Sequence, residues 1–223
     1  MKMKLLWNAL TKFAGGLLMV GLLLFLPAGS FEYINAWLFC ALLFVPMLVL
    51  GAVLLIKAPD LLRKRLDTKE KEKTQKGVIA LSALLFLGGF IVAGLDFRFG
   101  WSKIPTWLVA AASVILLISY GLYAEVMREN AYLSRTVKVY ENQKVIDTGL
   151  YSIVRHPMYA VTLWLFLAIP LVLGSWFSLI CFLHYPIVIV VRILNEEKVL
   201  TEGLEGYDAY QKKVKYRLIP FIW

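Results

Sequence analysis

Two short clusters in this sequence of 223 residues combine side chains that can do chemistry. The first is Arg155-His156-Pro157-Met158-Tyr159, where a charged stretch meets an apolar one. Pro157 suits the first turn of a helix, where its missing N–H costs nothing. The unpaired backbone N–H groups of that turn, the positive helix end, Arg155 and His156 together suit an anion such as a carboxylate or phosphate. Tyr159 adds a hydroxyl within reach of the same ligand. The second cluster is Arg192 with Glu196 and Glu197. Arg192 and Glu196, four apart, share a helical face, while Glu197 points about 100° away from Glu196. A cationic pocket beside acidic residues suits a zwitterion, carboxylate to one side and ammonium to the other. Singly, each cluster has a plainer explanation: Arg and His beside an apolar run anchor it, and Glu on a polar helix is solvated. The segment between them joins the two.

That segment, 158–191, is 34 residues without a charge. It is too long for one membrane crossing of about 20 residues, and Pro170 and Gly174-Ser175 interrupt it. A helical hairpin over 157–173 and 176–193 follows, which returns both clusters to one membrane face. Four further apolar runs precede it, at 13–26 (extended by 5–10), 34–56, 78–95 and 104–127. The composition agrees, with 60% hydrophobic and 17% charged residues against roughly 45–50% and about 25% in soluble domains. The expectation is an all-α integral membrane protein of five to six transmembrane helices, the last two a hairpin, with a small cytosolic hairpin or helical cap. Residues 1–127 would supply four spans and 128–223 the catalytic region.

The net charge of +9 has an address. With the N-terminus inside, six crossings return the C-terminus to the same side. Of the 24 Lys and Arg, 22 then lie on that side, and Arg98 and Lys103 are balanced by Glu32 and Asp96 on the other. This is the positive-inside bias, and it implies cytoplasmic termini in a bacterial inner membrane. The basic segment 57–76 reads as a solvated loop that anchors acidic headgroups. It has no aromatic residue on which a base could stack, so nucleic acid is not an expected partner. The polar segment 128–156 is long for a connection between membrane helices. Alternation over 136–140 and a turn at 141–144 predict a small β-hairpin or an extended arm roofing a site at the cytosolic surface.

Gly149-Leu150-Tyr151, then Arg155-His156-Pro157-Met158-Tyr159, an apolar hairpin, Glu196-Glu197 and a tail with Tyr207, Tyr210 and Pro220 resemble the isoprenylcysteine carboxyl methyltransferases and their bacterial relatives. Phospholipid N-methyltransferases share much of the pattern. The resemblance covers residues 128–220 and implies S-adenosylmethionine as methyl donor. It implies that His156 and Tyr159, with backbone from Val154 through Arg155 and Pro157 to Met158, hold the methionine carboxylate. Glu197, with Glu196, would hold the amino group or ribose, and Arg192 would orient an acidic acceptor. Arg192 and Glu197 are thus the expected catalytic pair, and Tyr207 and Tyr210 are candidates for closing the pocket. The expected partners are a lipophilic or membrane-embedded methyl acceptor, with a carboxylate favoured and a thiol or amine left open, and membrane lipids. Two alternatives stay open: an NADPH-dependent reductase of the sterol reductase type, which shares an Arg-His-Pro motif, and a non-catalytic membrane binding protein.

Other residues carry less. Cys40 and Cys181 lie far apart within spans and form no metal-ligand pattern. His184 is a lone intramembrane histidine, read as packing. Arg128 with Glu125 reads as an interfacial ion pair.

Overall fold

A computed structural model describes residues 2–67, 70 and 73–223. Four long helices come first in apolar layers: α1 (Lys2–Ala28), α2 (Ile34–Lys57), α4 (Lys73–Phe99) and α5 (Thr106–Glu129), with the short α3 (Pro59–Leu66) between α2 and α4. The chain then runs through an irregular arm and a 3-10 turn (Gly149–Ser152) to α6 (Pro157–Leu173), α7 (Trp176–Phe182), α8 (Tyr185–Gly203) and α9 (Tyr207–Lys213). Among the described residues, five segments are long and apolar enough to cross a membrane, α7 and α8 counting as one, and α6 is a shorter apolar helix. The protein is an integral membrane protein.

The helices bury one another only in part, because lipid replaces water outside them. Phe39, Leu24, Leu116, Ile169, Val172 and Phe182 meet in one interior from α1, α2, α5, α6 and α7. Trp107, Trp164, Ile118 and Ile187 point outward and stay exposed, as expected of helices hydrophobic all round. α6 lies against α2, α5, α7 and α8, so it is the post around which the others stand.

Far from the charged loops, a polar knot closes the bundle. The buried Asp96 carboxylate accepts from Ser102 N at 2.7 Å, Ser102 Oγ at 2.5 Å and Ser175 Oγ at 2.5 Å. Ser175 Oγ also accepts from Ser178 N at 3.0 Å and so caps α7. Gly174 makes the turn before it possible: its φ is +81°, and a Cβ there would sit 2.5 Å from Asn35 Nδ2. The break after residue 173 thus falls where the sequence places it.

Two expectations need correction. The returning arm is not one helix over 176–193: it breaks at Leu183-His184, because Pro186 has no N–H for the Phe182 carbonyl. Segment 57–76 is not simply a solvated loop, since α3 carries buried Leu61 and Leu62 on one face; its residues 68–69 and 71–72 lie outside the described residues. Of the two forms expected for 136–146, the structure takes the extended arm and not the β-hairpin. A turn does form at Tyr140–Gln143, with Asn142 at φ +56°. Its flanks find other partners: Val137 N donates to Glu70 Oε2 at 3.1 Å and Tyr140 N to Gln143 Oε1 at 3.0 Å.

α1 and α4 cross closely at Gly94, where a Cβ would come within 2.6 Å of the Leu24 carbonyl oxygen. Gly94→Ala should force the two helices apart and cost about 1–3 kcal/mol. The check is the thermal unfolding midpoint in detergent, which should fall; an unchanged midpoint would mean the crossing yields to a methyl group.

Candidate active site

The site is assembled around one carboxylate. Glu197, on α8, is only 5% exposed, and three side chains from two other parts of the chain converge on it. Arg155 Nε donates to its Oε1 at 2.7 Å, His156 Nε2 lies 3.3 Å from the same oxygen, and Arg217 Nε donates to Oε2 at 2.7 Å. Arg155 Nη1 donates to the carbonyls of Val214 at 2.8 Å and Lys215 at 3.1 Å. The tail also accepts backbone bonds, Arg155 N to Tyr216 O and His156 N to Arg217 O, both at 2.9 Å. The start of α6, the end of α8 and the C-terminal tail are therefore one unit.

Beside this unit a cavity of about 800 Å³ opens into the bundle. Its polar end is lined by Arg155, His156, Tyr159, Arg192, Glu196 and Tyr207. Its apolar end reaches Leu43, Phe86, Phe90, Leu165 and Ile169, deep among α2, α4, α5 and α6. Tyr159 bridges the two clusters: Arg192 Nε donates to its hydroxyl at 2.7 Å, and the hydroxyl donates to Glu196 Oε2. Arg192 also donates to the Arg135 carbonyl of the arm at 2.7 Å. Behind it Gln75 Nε2 donates to the Arg192 carbonyl at 3.2 Å and to Asn195 Oδ1 at 2.7 Å.

The structure sorts the expected residues by position. Arg155, His156, Met158, Tyr159, Arg192 and Glu196 line the cavity, whereas Val154, Pro157 and Glu197 lie behind the lining. Glu197 is committed to its three cationic or potentially cationic partners, so the acid that faces the cavity is Glu196. The backbone stretch is also partly spoken for. Val154 N donates to Leu150 O at 3.3 Å, and the amides of Arg155 and His156 serve the tail. That leaves the Met158 N–H with no backbone acceptor among the described residues. Pro157 does occupy the first helical turn, as its ring requires.

The two tail tyrosines behave differently. Tyr210 donates to the Tyr151 carbonyl at 2.7 Å and so pins α9 to the 3-10 turn. The Tyr207 hydroxyl is buried on the cavity wall with no hydrogen-bond partner among the described residues. Burial, then the nearby charges of Glu197 and Glu196, push its ionisation far above the ordinary tyrosine range. It is a neutral, enclosed hydroxyl on a residue that lines the cavity.

Some site residues had no signal in the sequence. Arg217 sits in a tail of mixed charge, and nothing local pairs it with a glutamate twenty positions earlier. Arg65 is one of eight basic residues in 57–76, yet it lines the cavity. Residues off the site behave as expected: Arg128 pairs with Glu125 at 2.6 Å on an exposed surface. No group of three or more His, Cys, Asp or Glu suited to a metal occurs among the described residues.

Residues 107–205 match the family model described as phospholipid methyltransferase. That stretch runs from α5 through α8 and includes both clusters but not Arg217. A protein of Bacillus subtilis (strain 168) described as the uncharacterized protein YpbQ is 30% identical over 98 residues, 44% of this chain. The match spans 58% of that relative's length.

Removing the charge at the centre of the unit should unfold it first. Glu197→Gln leaves Arg155 buried beside Arg217 without a counter-charge and should cost about 3–5 kcal/mol. Glu196→Gln, on the cavity wall, should cost less than about 1 kcal/mol. Thermal unfolding of the two variants in detergent checks the contrast, and equal losses would place the structural charge elsewhere.

Proposed function

We propose that the protein is a membrane methyltransferase that uses S-adenosylmethionine and acts on a lipophilic or membrane-associated acceptor at the cytosolic face. The observation that carries this is the two-ended cavity, polar beside Glu196, Tyr159, Arg192 and Tyr207 and apolar into the bundle. The match over 107–205 to a phospholipid methyltransferase family supports it. So does the resemblance of the Arg155–Tyr159 and Glu196-Glu197 motifs. The charged loops at this end are taken to be cytoplasmic by the positive-inside bias.

The residues present fit this donor. The orphaned Tyr207 hydroxyl and the Met158 N–H at the start of α6 are donors in search of an acceptor. We assign the methionine carboxylate to His156, Tyr207 and that helix start, which favours an anion. Glu196 takes the ammonium or ribose, while Glu197 acts indirectly by fixing His156 and Arg155. Arg192, steered by Tyr159 and the Arg135 carbonyl, orients the acceptor head. When bound, the donor supplies a methyl group on an activated sulfonium. The protein's own task is therefore alignment and exclusion of water. A carboxylate acceptor needs no general base, and Arg192 is well placed to hold one. The apolar end of the cavity receives the acceptor's tail from the bilayer side, while the donor enters from water.

Calorimetry on the purified protein in detergent tests the reading. S-adenosylhomocysteine should bind in the micromolar range and NADPH should not. Binding of NADPH alone would make the protein a reductase. Binding of neither would leave a non-catalytic membrane protein. Tyr207→Phe should weaken S-adenosylhomocysteine about two- to tenfold, the size of one lost hydrogen bond. It should leave the thermal midpoint unchanged or raised, since the hydroxyl has no partner within the protein. Unaltered affinity would remove Tyr207 from the donor site.

A further inference from the structure

The apolar end of the cavity has a floor. On α1, α2, α4 and α6 the lining stops at Leu23, Phe39, Phe90 and Ile169. Beyond them Leu24, Ala36, Ala93, Val172, Leu173 and Phe182 are fully buried, and none of these six lines the cavity. The floor is aromatic. The rings of Phe39 and Phe90 lie 5.7 Å apart, and Phe182 backs Phe90 at 6.2 Å. Phe182 is held against Gly89, where a Cβ would come within 2.4 Å of its ring. About one turn after Phe90 comes the close crossing of α1 and α4 at Gly94. Packed side chains therefore separate the floor from the Asp96 knot.

The helices give the depth. On α6 the lining runs from Tyr159, at the polar end, to Ile169, which is about 15 Å along the axis. On α4 it runs from Ile79 to Phe90, and on α8, in the opposite direction, from Glu196 to Tyr185. Both of those spans are about 16 Å. The three agree with one leaflet, half of the roughly 30 Å hydrocarbon core of a bilayer. An extended hydrocarbon advances about 1.25 Å per carbon, from its bond length and angle, so this depth holds about twelve carbons.

The side of the pocket meets lipid between α1 and α4. Met19 of α1 and Ala83 and Leu87 of α4 line the cavity and are also exposed on the outer surface of the bundle. α1 touches α4 closely at Gly94, but nearer its other end it packs Phe13 edge-on against Phe44 of α2 at 5.5 Å. The hydrocarbon of the surrounding leaflet is thus continuous with the pocket, and that identifies what fills it.

We infer that the pocket measures the acceptor's hydrocarbon: it takes an extended chain of about twelve carbons, and Phe39 and Phe90 set that length. This rests on the methyltransferase reading above for the chain being an acceptor's, and it holds for any head group. Up to the floor, each added carbon gains apolar contacts. At the floor the next carbon meets close-packed rings, which do not admit another methylene without strain. A longer chain must bend back or leave its end in the bilayer.

The test uses two series of probes, straight-chain fatty acids and primary alkylamines of 8 to 18 carbons, each offered to the purified protein in detergent as an equimolar mixture. Mass spectrometry of the bound fraction, divided by the fraction in protein-free micelles, gives a chain-length profile in which head group and detergent cancel. At least one series should peak near twelve carbons, with sixteen and eighteen enriched less than a third as much. Phe90→Ala should move the peak longer by about three carbons. Leu165→Phe, which places a ring in the pocket one turn above Ile169, should move it shorter by two or more. A cooperative thermal transition shows that each variant is folded. A peak that stays in place in either folded variant would overturn the inference, as would a flat profile or no enrichment in both series. S-adenosylhomocysteine binding is measured on the parent samples. A peak near twelve without that binding would instead overturn the methyltransferase reading and leave the hydrocarbon pocket standing.

Discussion

The Glu197 carboxylate is the constraint on which the rest of the site depends. A carboxylate this deeply buried persists only with its charge matched and its lone pairs filled. Arg155, His156 and Arg217 do both. Because these partners come from the start of α6 and from the tail, matching the charge also fixes where those two segments lie. Buried ion pairs add little net stability, but they punish the loss of either partner. Their value here is geometric: His156 and the first turn of α6 can stand in one place only.

From that anchor the site extends outward through polar contacts and inward through apolar ones. Tyr159, one turn along α6 from His156, links Arg192 and Glu196, so the second cluster is oriented from the first. Arg192 reaches on to the arm, and Arg65 reaches the same arm from α3. The arm is thus a roof held by guanidinium groups on its carbonyls, which explains why it stays extended without forming a strand. Below it, Phe86, Phe90 and Ile169 continue the cavity into the part of the bundle that faces lipid on its outside. One cavity therefore offers charge at one end and hydrocarbon at the other. That pairing suits a reaction between a water-soluble donor and a bilayer-borne acceptor.

The second polar centre, Asp96 with Ser102 and Ser175, lies at the opposite end of the bundle and plays a different part. It joins the loop after α4 to the turn after α6, so the short α6 is tied at both of its ends. A helix of 17 residues spans only about 25 Å, and these two polar centres hold it among longer neighbours.

Much of this was written in one dimension. Hydrophobic run length, the turn at Gly174-Ser175, the proline at the start of α6 and the bias of charge along the chain are local properties. Each has a local physical cause, so each could be read without the fold. The pairing of the Arg155–Tyr159 cluster with the Arg192–Glu197 cluster was also legible, because a hairpin must return its ends to one face. Tertiary structure alone decided the roles within those clusters. Adjacent residues on a helix point about 100° apart, so one of Glu196 and Glu197 must turn toward the cavity and the other away. Which one does so depends on where Arg217, twenty residues on, comes to rest. The same holds for Arg65: in the sequence it is one cation among eight, and only the packing of Leu61 and Leu62 turns it inward. Charge type is a property of the residue, but its counter-charge belongs to the fold.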